Sequence, residues 1–351
     1  MKIIEIIGAR PQFVKAAVVS KQLRKIPEIK DLILHTGQHY DENMSKVFFD
    51  ELKIPLPDYN LNVGSGNHGK QTALMLEGIE KILIEEKPDW VLVYGDTNST
   101  IAGSLAASKL HIKVAHVEAG LRSFNRLMPE EINRITTDHI SDILFAPTQN
   151  AIHLLEKEGL KERSYFSGDV MFDSVLFYQK LAEEKFSLNQ ITELNEFYLA
   201  TIHRQENTDD PIRLQNIFTA FSNLDLPVLL PLHPRTQKFL PNIKFSDNVK
   251  IIDPISYLEM LTLLKYCKKV LTDSGGLQKE AYFLQKQCIT LRDETEWIET
   301  LENNWNFIAG TDAQKISNSI NTLPTSKQNN YFGDGTAGEK IAQYLLKVTQ
   351  K

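Results

Sequence analysis

The run Asp273-Ser274-Gly275-Gly276-Leu277-Gln278-Lys279-Glu280 follows the apolar stretch Val270-Leu271-Thr272. A short strand that empties into Ser-Gly-Gly and then into helix-forming residues gathers backbone N–H groups at a helix start. Partial positive charge collects there, and a pyrophosphate can be held. Glu280 falls near the second helical turn, where a carboxylate can accept hydrogen bonds from a ribose diol. These residue types in this order point to a nucleotide-diphosphate site. A Gly-Gly pair alone is better read as an ordinary strand-to-helix loop.

A second anion-friendly turn lies near the start of the chain. Ile3-Ile4-Glu5-Ile6-Ile7 reads as a buried strand, and Gly8-Ala9-Arg10-Pro11-Gln12-Phe13-Val14-Lys15 turns into a helix. Pro11 suits the first helical position, and Arg10 and Lys15 bring two cations to the same helix start, which favours a phosphate. Gly8 lacks the companions of a dinucleotide fingerprint, so the turn gives no support for NAD, and no cofactor is expected.

Other polar clusters come directly after apolar runs. Asp96 follows Val91-Leu92-Val93-Tyr94 and precedes Thr97-Asn98-Ser99-Thr100; the residue types suit either a helix N-cap or chemistry. Glu118 ends a strand before Ala119-Gly120, a place that gives a buried carboxylate little to do unless something binds there. Glu130 and Glu131 follow Pro129, and first-turn acids of a helix are commonplace. His203 and His233 both close apolar runs, which favours a shared binding region. The nine histidines show no zinc spacing, so no metal is expected, and there is no nucleophile elbow.

These residues need elements to hold them. Short apolar runs alternate with helical patterns along the chain: Leu32 to His35, Trp90 to Tyr94, Val114 to Val117 and Ile143 to Ala146, then Phe197 to Ile202, Val228 to Pro231, Val249 to Ile252, Val270 to Thr272 and Cys288 to Leu291. Such alternation predicts parallel sheets flanked by helices, with ligands at the carboxyl ends of the strands. At 351 residues the chain is long for one core, so two domains are expected, with a hinge close to Gly168. The predicted division is 1–168 joined by the terminal helix 338–351, and 169–337. Ile341, Tyr344 and Leu345 give that last helix an apolar face in need of a partner.

Apolar residues make up 42% of the chain, and 39 basic against 45 acidic side chains leave a formal charge of −6 without long runs of one sign. Nucleic acid is therefore not an expected partner. The chain opens directly into a strand, and no apolar stretch approaches the roughly 20 residues that span a bilayer, so no membrane insertion and a cytoplasmic location are expected. The two cysteines, Cys267 and Cys288, read as buried thiols.

Taken in order, Gly8-Ala9-Arg10-Pro11, Gly37-Gln38-His39, Gly95-Asp96-Thr97, His116-Val117-Glu118-Ala119-Gly120-Leu121-Arg122, Pro129-Glu130-Glu131-Ile132-Asn133-Arg134, His203-Arg204-Gln205-Glu206-Asn207, Leu232-His233-Pro234 and Asp273-Ser274-Gly275-Gly276 resemble the non-hydrolysing UDP-N-acetylglucosamine 2-epimerase family. The resemblance runs from about Lys2 to about Glu299. It implies an α/β protein of two Rossmann-like domains in a GT-B arrangement with an interdomain active-site cleft, usually a homodimer, with the C-terminal helix packed on the first domain. It also implies a UDP-sugar substrate and a role in cell-surface polysaccharide precursors. Carried over by position, the acid/base groups are Asp96, Glu118, Glu130 and His203. The nucleotide contacts are Arg10, Lys15, His233, Ser274, Gly275, Gly276 and Glu280, with Arg134 near the diphosphate.

The chain departs from the commoner pattern at Gln12, where Glu is frequent, at Gln205, where Arg is usual, at Trp297, where Arg-Pro is typical, and at Asp41. Arg10-Pro11-Gln12, Glu206-Asn207-Thr208-Asp209-Asp210-Pro211 and Thr295-Glu296-Trp297 resemble the subgroup acting on UDP-2,3-diacetamido-2,3-dideoxyglucuronate. A GT-B glycosyltransferase is the alternative from another class, since it uses the same frame and diphosphate turn but needs an acceptor.

Overall fold

The computed structural model describes residues 1–38, 51–232 and 234–349, with the side chains of Arg10, Pro234 and Arg235 outside the description. Two compact units emerge: Met1–Leu176 with Asn330–Lys351, and Phe177–Asn329.

The first unit is built on seven parallel strands: β1 (Lys2–Ile7), β2 (Lys30–His35), β3 (Tyr59–Asn60), β4 (Trp90–Tyr94), β5 (Lys113–Val117), β6 (Ile143–Ala146) and β7 (Ser164–Phe166). Their order is β3-β2-β1-β4-β5-β6-β7. Helices cover both faces of a parallel sheet, so its central strands read as unbroken apolar runs. The core includes Ile4, Ile6, Val91, Val93 and Val114, all with no exposed surface. Glu5 breaks the apolar run of β1. It is fully buried, takes a hydrogen bond from the Tyr94 hydroxyl, and is driven well above the usual carboxylate range, first by burial and then by Asp31.

The second unit carries six parallel strands: β8 (Tyr198–Thr201), β9 (Val228–Pro231), β10 (Val249–Ile252), β11 (Lys269–Thr272), β12 (Gln287–Thr290) and β13 (Asn306–Ile308). The order is β10-β9-β8-β11-β12-β13. Leu214, Ile217, Phe218 and Phe221 of the helix Pro211–Ser222 fill the space against Leu230, Leu271 and Ile289.

In both sheets the chain order reverses once, at β1/β4 and at β8/β11, which opens a crevice at the carboxyl ends of those strands. Gly8 and Gly95 border the first reversal, and His203 and Ser274 border the second.

The second unit begins inside the helix Val170–Lys185, because the segment after Gly168 is tied to the first unit. Asp173 accepts the Ala337 and Gly338 N–H groups at 3.1 and 2.8 Å, capping the helix Ala337–Thr349. That helix lies on the helix Arg10–Leu23. Ile341 and Leu345 are fully buried, and Tyr344 stacks near Phe145 and Tyr165 with ring centres at 5.7 and 4.6 Å. Among the described residues no helix is long and apolar enough to cross a membrane.

Candidate active site

In the first unit, β1 ends at Ile7 and the chain turns through Gly8 and Ala9 into the helix Arg10–Leu23. Gln12 claims this turn. Its Oε1 accepts from the Gly8 and Ala9 N–H groups at 2.8 and 2.9 Å, and its Nε2 donates to the Tyr94 carbonyl at 2.7 Å. Nε2 also reaches Thr97 and Thr100 Oγ1 at 3.0 and 3.1 Å. The Gly8 and Ala9 N–H groups are thus spent internally, so an anion at this turn falls to the side chains of Arg10 and Lys15. A Cβ on Gly8 would lie 2.1 Å from both Ser99 Oγ and Thr36 Oγ1, so glycine there serves close packing. Gln12 acts on turn geometry, since it is only 2% exposed.

The turn after β4 carries Gly95 and Asp96. The helix Asn98–Lys109 takes Thr97 as its N-cap, with the Thr97 hydroxyl accepting the Thr100 N–H, so the Asp96 carboxylate is not consumed in capping. Asp96 instead pairs with Arg134 Nη2, while Asn133 Nδ2 donates to the Asp96 carbonyl at 2.9 Å. Arg134 Nη1 also holds Glu131 at 2.8 Å.

Glu118 follows β5 with a φ of 71°, a left-handed conformation that costs a residue other than glycine of order 1–2 kcal/mol. Strain of this kind clusters at functional sites. The Glu118 and Ala119 N–H groups converge on the Phe145 carbonyl at 3.1 Å each, which fixes the bend. The Glu118 carboxylate pairs with Lys15 Nζ, both side chains being mostly buried. Glu118 Oε2 lies 3.4 Å from where a Cβ on Gly95 would stand, so the Asp96 and Glu118 turns are neighbours.

A buried hub supports both turns. Asp138, with no exposed surface, meets His116 Nδ1 at 2.7 Å, accepts the Gly120 N–H at 3.1 Å and binds Arg122 Nη1 at 2.7 Å. The other ring nitrogen of His116 reaches the Gly95 carbonyl at 2.7 Å. Burial pushes the Asp138 carboxyl up, but His116 and Arg122 outweigh it and the net shift is downward. Arg122 in turn grips Glu158 through two nitrogens at 2.7 and 2.8 Å.

Glu130 and Glu131 part company at the start of the helix Pro129–Ile140: Glu130 is exposed and Glu131 is 1% exposed. Glu131 takes the Ser123 N–H and hydroxyl and the Phe124 N–H, each at 2.9 Å. It fixes the loop ahead of the helix. Burial raises its carboxyl, and the Ser123 and Phe124 donors with Arg134 bring it below the usual range.

In the second unit, Ser274 caps the helix Gly275–Phe283, its hydroxyl accepting the Leu277 N–H at 3.3 Å. The two glycines differ. Gly276 is exposed, and a Cβ there would meet nothing nearer than Ser274 Oγ at 3.8 Å, which leaves a free approach to the helix start. Gly275 is buried against Glu296, whose Oε1 lies 2.5 Å from its Cβ position. Asp273, fully buried, accepts the His203 and Arg204 N–H groups and Asn207 Nδ2, and lies 3.5 Å from His203 Nδ1. His203 is thus anchored by its backbone while its ring stays 38% exposed.

A pocket of about 290 Å³ opens beside this helix start. Thr201, His203, Ser274, Gly276 and Glu280 form a polar side, faced by Ile255, Tyr257 and Met260. The apolar side suits a flat base and the polar side a sugar phosphate. Burial pushes the Glu280 carboxyl up to about 7, against the pull of the Tyr257 hydroxyl and Lys279. The Tyr257 hydroxyl is itself buried and makes no hydrogen bond of ordinary geometry, so a donor stands ready beside that carboxyl.

The structure therefore gathers Asp96, Glu118, Lys15 and Arg134 in the first unit, and His203, Ser274, Gly276 and Glu280 in the second. Gly275 faces Glu296, and Glu130 faces solvent. The Arg10 side chain, His39, Asp41 and His233 lie outside the described residues. Sequence reasoning passed over the His116–Asp138–Arg122 hub and Tyr257. Their contacts join residues far apart in the chain, and no local spacing signals them.

The family model for UDP-N-acetylglucosamine 2-epimerase matches residues 21–346. The chain is 54% identical to a UDP-N-acetylglucosamine 2-epimerase homolog of Methanococcus maripaludis, over 99% of this chain and 100% of the relative. It is 50% identical to the UDP-2,3-diacetamido-2,3-dideoxy-D-glucuronate 2-epimerase of Pseudomonas aeruginosa, over 99% and 100%. Among solved structures, the Methanocaldococcus jannaschii UDP-GlcNAc 2-epimerase in complex with UDP-GlcNAc and UDP matches with a TM-score of 0.88 at 45% identity, covering 99% of this chain and 100% of that one.

Proposed function

The chain belongs to the UDP-N-acetylglucosamine 2-epimerase family, and we propose that it interconverts UDP-GlcNAc and UDP-ManNAc by eliminating UDP to a glycal and adding it back. It is an isomerase acting at C2 of a nucleotide sugar. The observation that carries this reading is the set of two neighbouring carboxylates, Asp96 and Glu118, each beside a cation, in a protein whose second unit offers a nucleotide-sized pocket at a glycine-rich helix start.

The chemistry accounts for these residue types. No carbonyl flanks the C2 hydrogen of an N-acetylated sugar, so simple deprotonation is unfavourable. Departure of UDP from C1 while a base takes the C2 proton circumvents this barrier. Return of a proton to the opposite face, followed by UDP, completes the inversion. Asp96, Glu118, Glu130 and His203 are the candidate proton carriers, two of which must serve opposite faces. The departing diphosphate gathers charge, and Arg10, Lys15, Arg134 and the Ser274-Gly275-Gly276 turn are its candidate stabilisers. Glu280 is assigned to the ribose diol, and His233 to the nucleotide. Membership in the family supports a homodimer in the cytoplasm.

A second reading, C2 epimerisation of UDP-2,3-diacetamido-2,3-dideoxyglucuronate, is favoured by the 50% identity to the Pseudomonas relative. Incubation of the purified chain with each UDP-sugar separately, without an acceptor, distinguishes the two. The proposal expects a C2-inverted UDP-sugar from UDP-GlcNAc. Inversion of the diacetamido uronate alone selects the second reading, and transfer or free UDP alone rejects both.

A further inference from the structure

Trp297 departs from the commoner Arg-Pro pattern, and its surroundings give the indole a use. Of the three tryptophans, two have ordinary partners: Trp90 Nε1 donates to Thr349 Oγ1 at 2.8 Å, and Trp305 Nε1 to the Ser326 carbonyl at 3.0 Å. Trp297 is only 6% exposed, and among the described residues its Nε1 is buried without a partner. An indole nitrogen donates and cannot accept, so only an acceptor relieves the cost of burying it. Its position narrows the choice of acceptor. Nε1 lies 3.6 Å from where a Cβ on Gly275 would stand, at the N-terminus of the nine-residue helix Gly275–Phe283. A buried donor and the positive end of a helix thus converge on one place, which suits an anion. The Glu296 carboxylate already leans there, with Oε1 2.5 Å from the same Cβ position and Oε2 held by Arg292 Nη1 at 2.9 Å. Its side chain is 32% exposed, so it can turn outward for a more highly charged anion. Lys279 strengthens the donor. Its Nζ lies 3.9 Å from the centre of the Trp297 ring, and the residue is buried. An ammonium on the π face draws electron density from the indole, which makes the N–H a better donor to an anion.

We propose that Trp297, backed by Lys279, is a diphosphate-binding residue: its indole N–H donates to a phosphate oxygen of the nucleotide at the Gly275 helix start, in the place that the Glu296 carboxylate holds. All of these residues belong to the second unit. The chain thereby presents a neutral donor, polarised by an ammonium behind it, where the commoner pattern has a cation. A hydrogen bond to an ionised oxygen is stronger than one between neutral groups, so a single N–H counts in the affinity for the diphosphate.

This inference rests on the reading of that helix start as the diphosphate site of the proposed function, and its test separates the two. The full chain is labelled with nitrogen-15 tryptophan and its three indole signals are followed by NMR while UDP or uridine is added, with calorimetry for affinity. Trp297→Phe removes one signal and so identifies it. If thermal melts show that this variant does not fold, Trp90→Phe and Trp305→Phe identify the signal by elimination. UDP should move the Trp297 indole proton downfield, uridine should not, and Lys279→Met should shrink the movement. Trp297→Phe keeps a ring and loses the N–H, so it should bind UDP roughly 10- to 50-fold more weakly and uridine unchanged. A Trp297 signal that stays in place while calorimetry shows UDP bound overturns the proposal and leaves the N–H to an internal water. Equal movement with uridine overturns it as well, because the donor would then answer to the nucleoside. No UDP binding by the unsubstituted chain contradicts the functional reading, and the inference falls with it.

Discussion

Burial pushes the Glu280 carboxyl up to about 7, so at neutral pH the side chain stands midway between acid and carboxylate. Only the ionised form is a pure acceptor for a ribose diol. Affinity for UDP-GlcNAc, read by calorimetry, should therefore rise between pH 6 and 8, and Glu280→Gln should flatten the profile while weakening binding roughly 10- to 100-fold. A pH-independent affinity in the unsubstituted chain contradicts the assignment. Asp138 makes a different kind of claim. Asp138→Ala would leave His116 and Arg122 buried without their shared carboxylate, and chemical denaturation should show a loss of roughly 3–5 kcal/mol. At this scale the sequence was legible in placing polar side chains just past strand ends, as at Asp96, Glu118 and Ser274. It was opaque at Gln12, because a residue read only as a departure from the commoner Glu is a buried link between the Gly8 turn and the Tyr94 carbonyl. Only tertiary packing reveals that the amide is fully used.

Helix caps and tight turns set the positions of the site at the scale of elements. Asp173 caps the helix Ala337–Thr349, and burial raises its carboxyl to about 6, against the pull of the Gly338 and Ala337 N–H groups. A carboxyl raised above its unfolded value of 3.8 holds more protons in the folded chain, so its stabilising effect is fully present below pH 3.8 and is lost as pH rises through 6. The difference in unfolding free energy between the unsubstituted chain and Asp173→Asn should change by up to about 3 kcal/mol across that window, and stay level above pH 7. Gly120 has a φ of 82°, and a Cβ there would lie 2.7 Å from the Ala151 carbonyl oxygen. Gly120→Ala should cost roughly 2–5 kcal/mol in stability, measured by denaturant unfolding, because both backbone conformation and space oppose it. The nine apolar runs read from the sequence all lie in or overlap strands. The strands that escaped the pattern, β3, β7 and β13, are edges of their sheets. An edge strand is short and only half enclosed, and the two or three residues of each leave no run long enough to recognise.

For the whole molecule, alternating strands and helices made two parallel sheets legible in advance, since a parallel sheet demands a crossover helix between neighbours. The chain order within each sheet was not legible, because periodicity fixes the type of an element and leaves open which neighbour it pairs with. The reversals at β1/β4 and β8/β11 could be located only once pairing was known. Both place the motif residues at strand ends, where an open parallel sheet binds ligands. The account as a whole depends on a single chemical event, the breaking of the bond between C1 and UDP as a proton leaves C2. Incubating the protein with UDP-GlcNAc in deuterated water and following the C2 hydrogen by proton NMR measures that event. The account predicts that deuterium enters at C2 of both epimers as UDP-ManNAc appears. Epimerisation that retains the original hydrogen at C2 would contradict it.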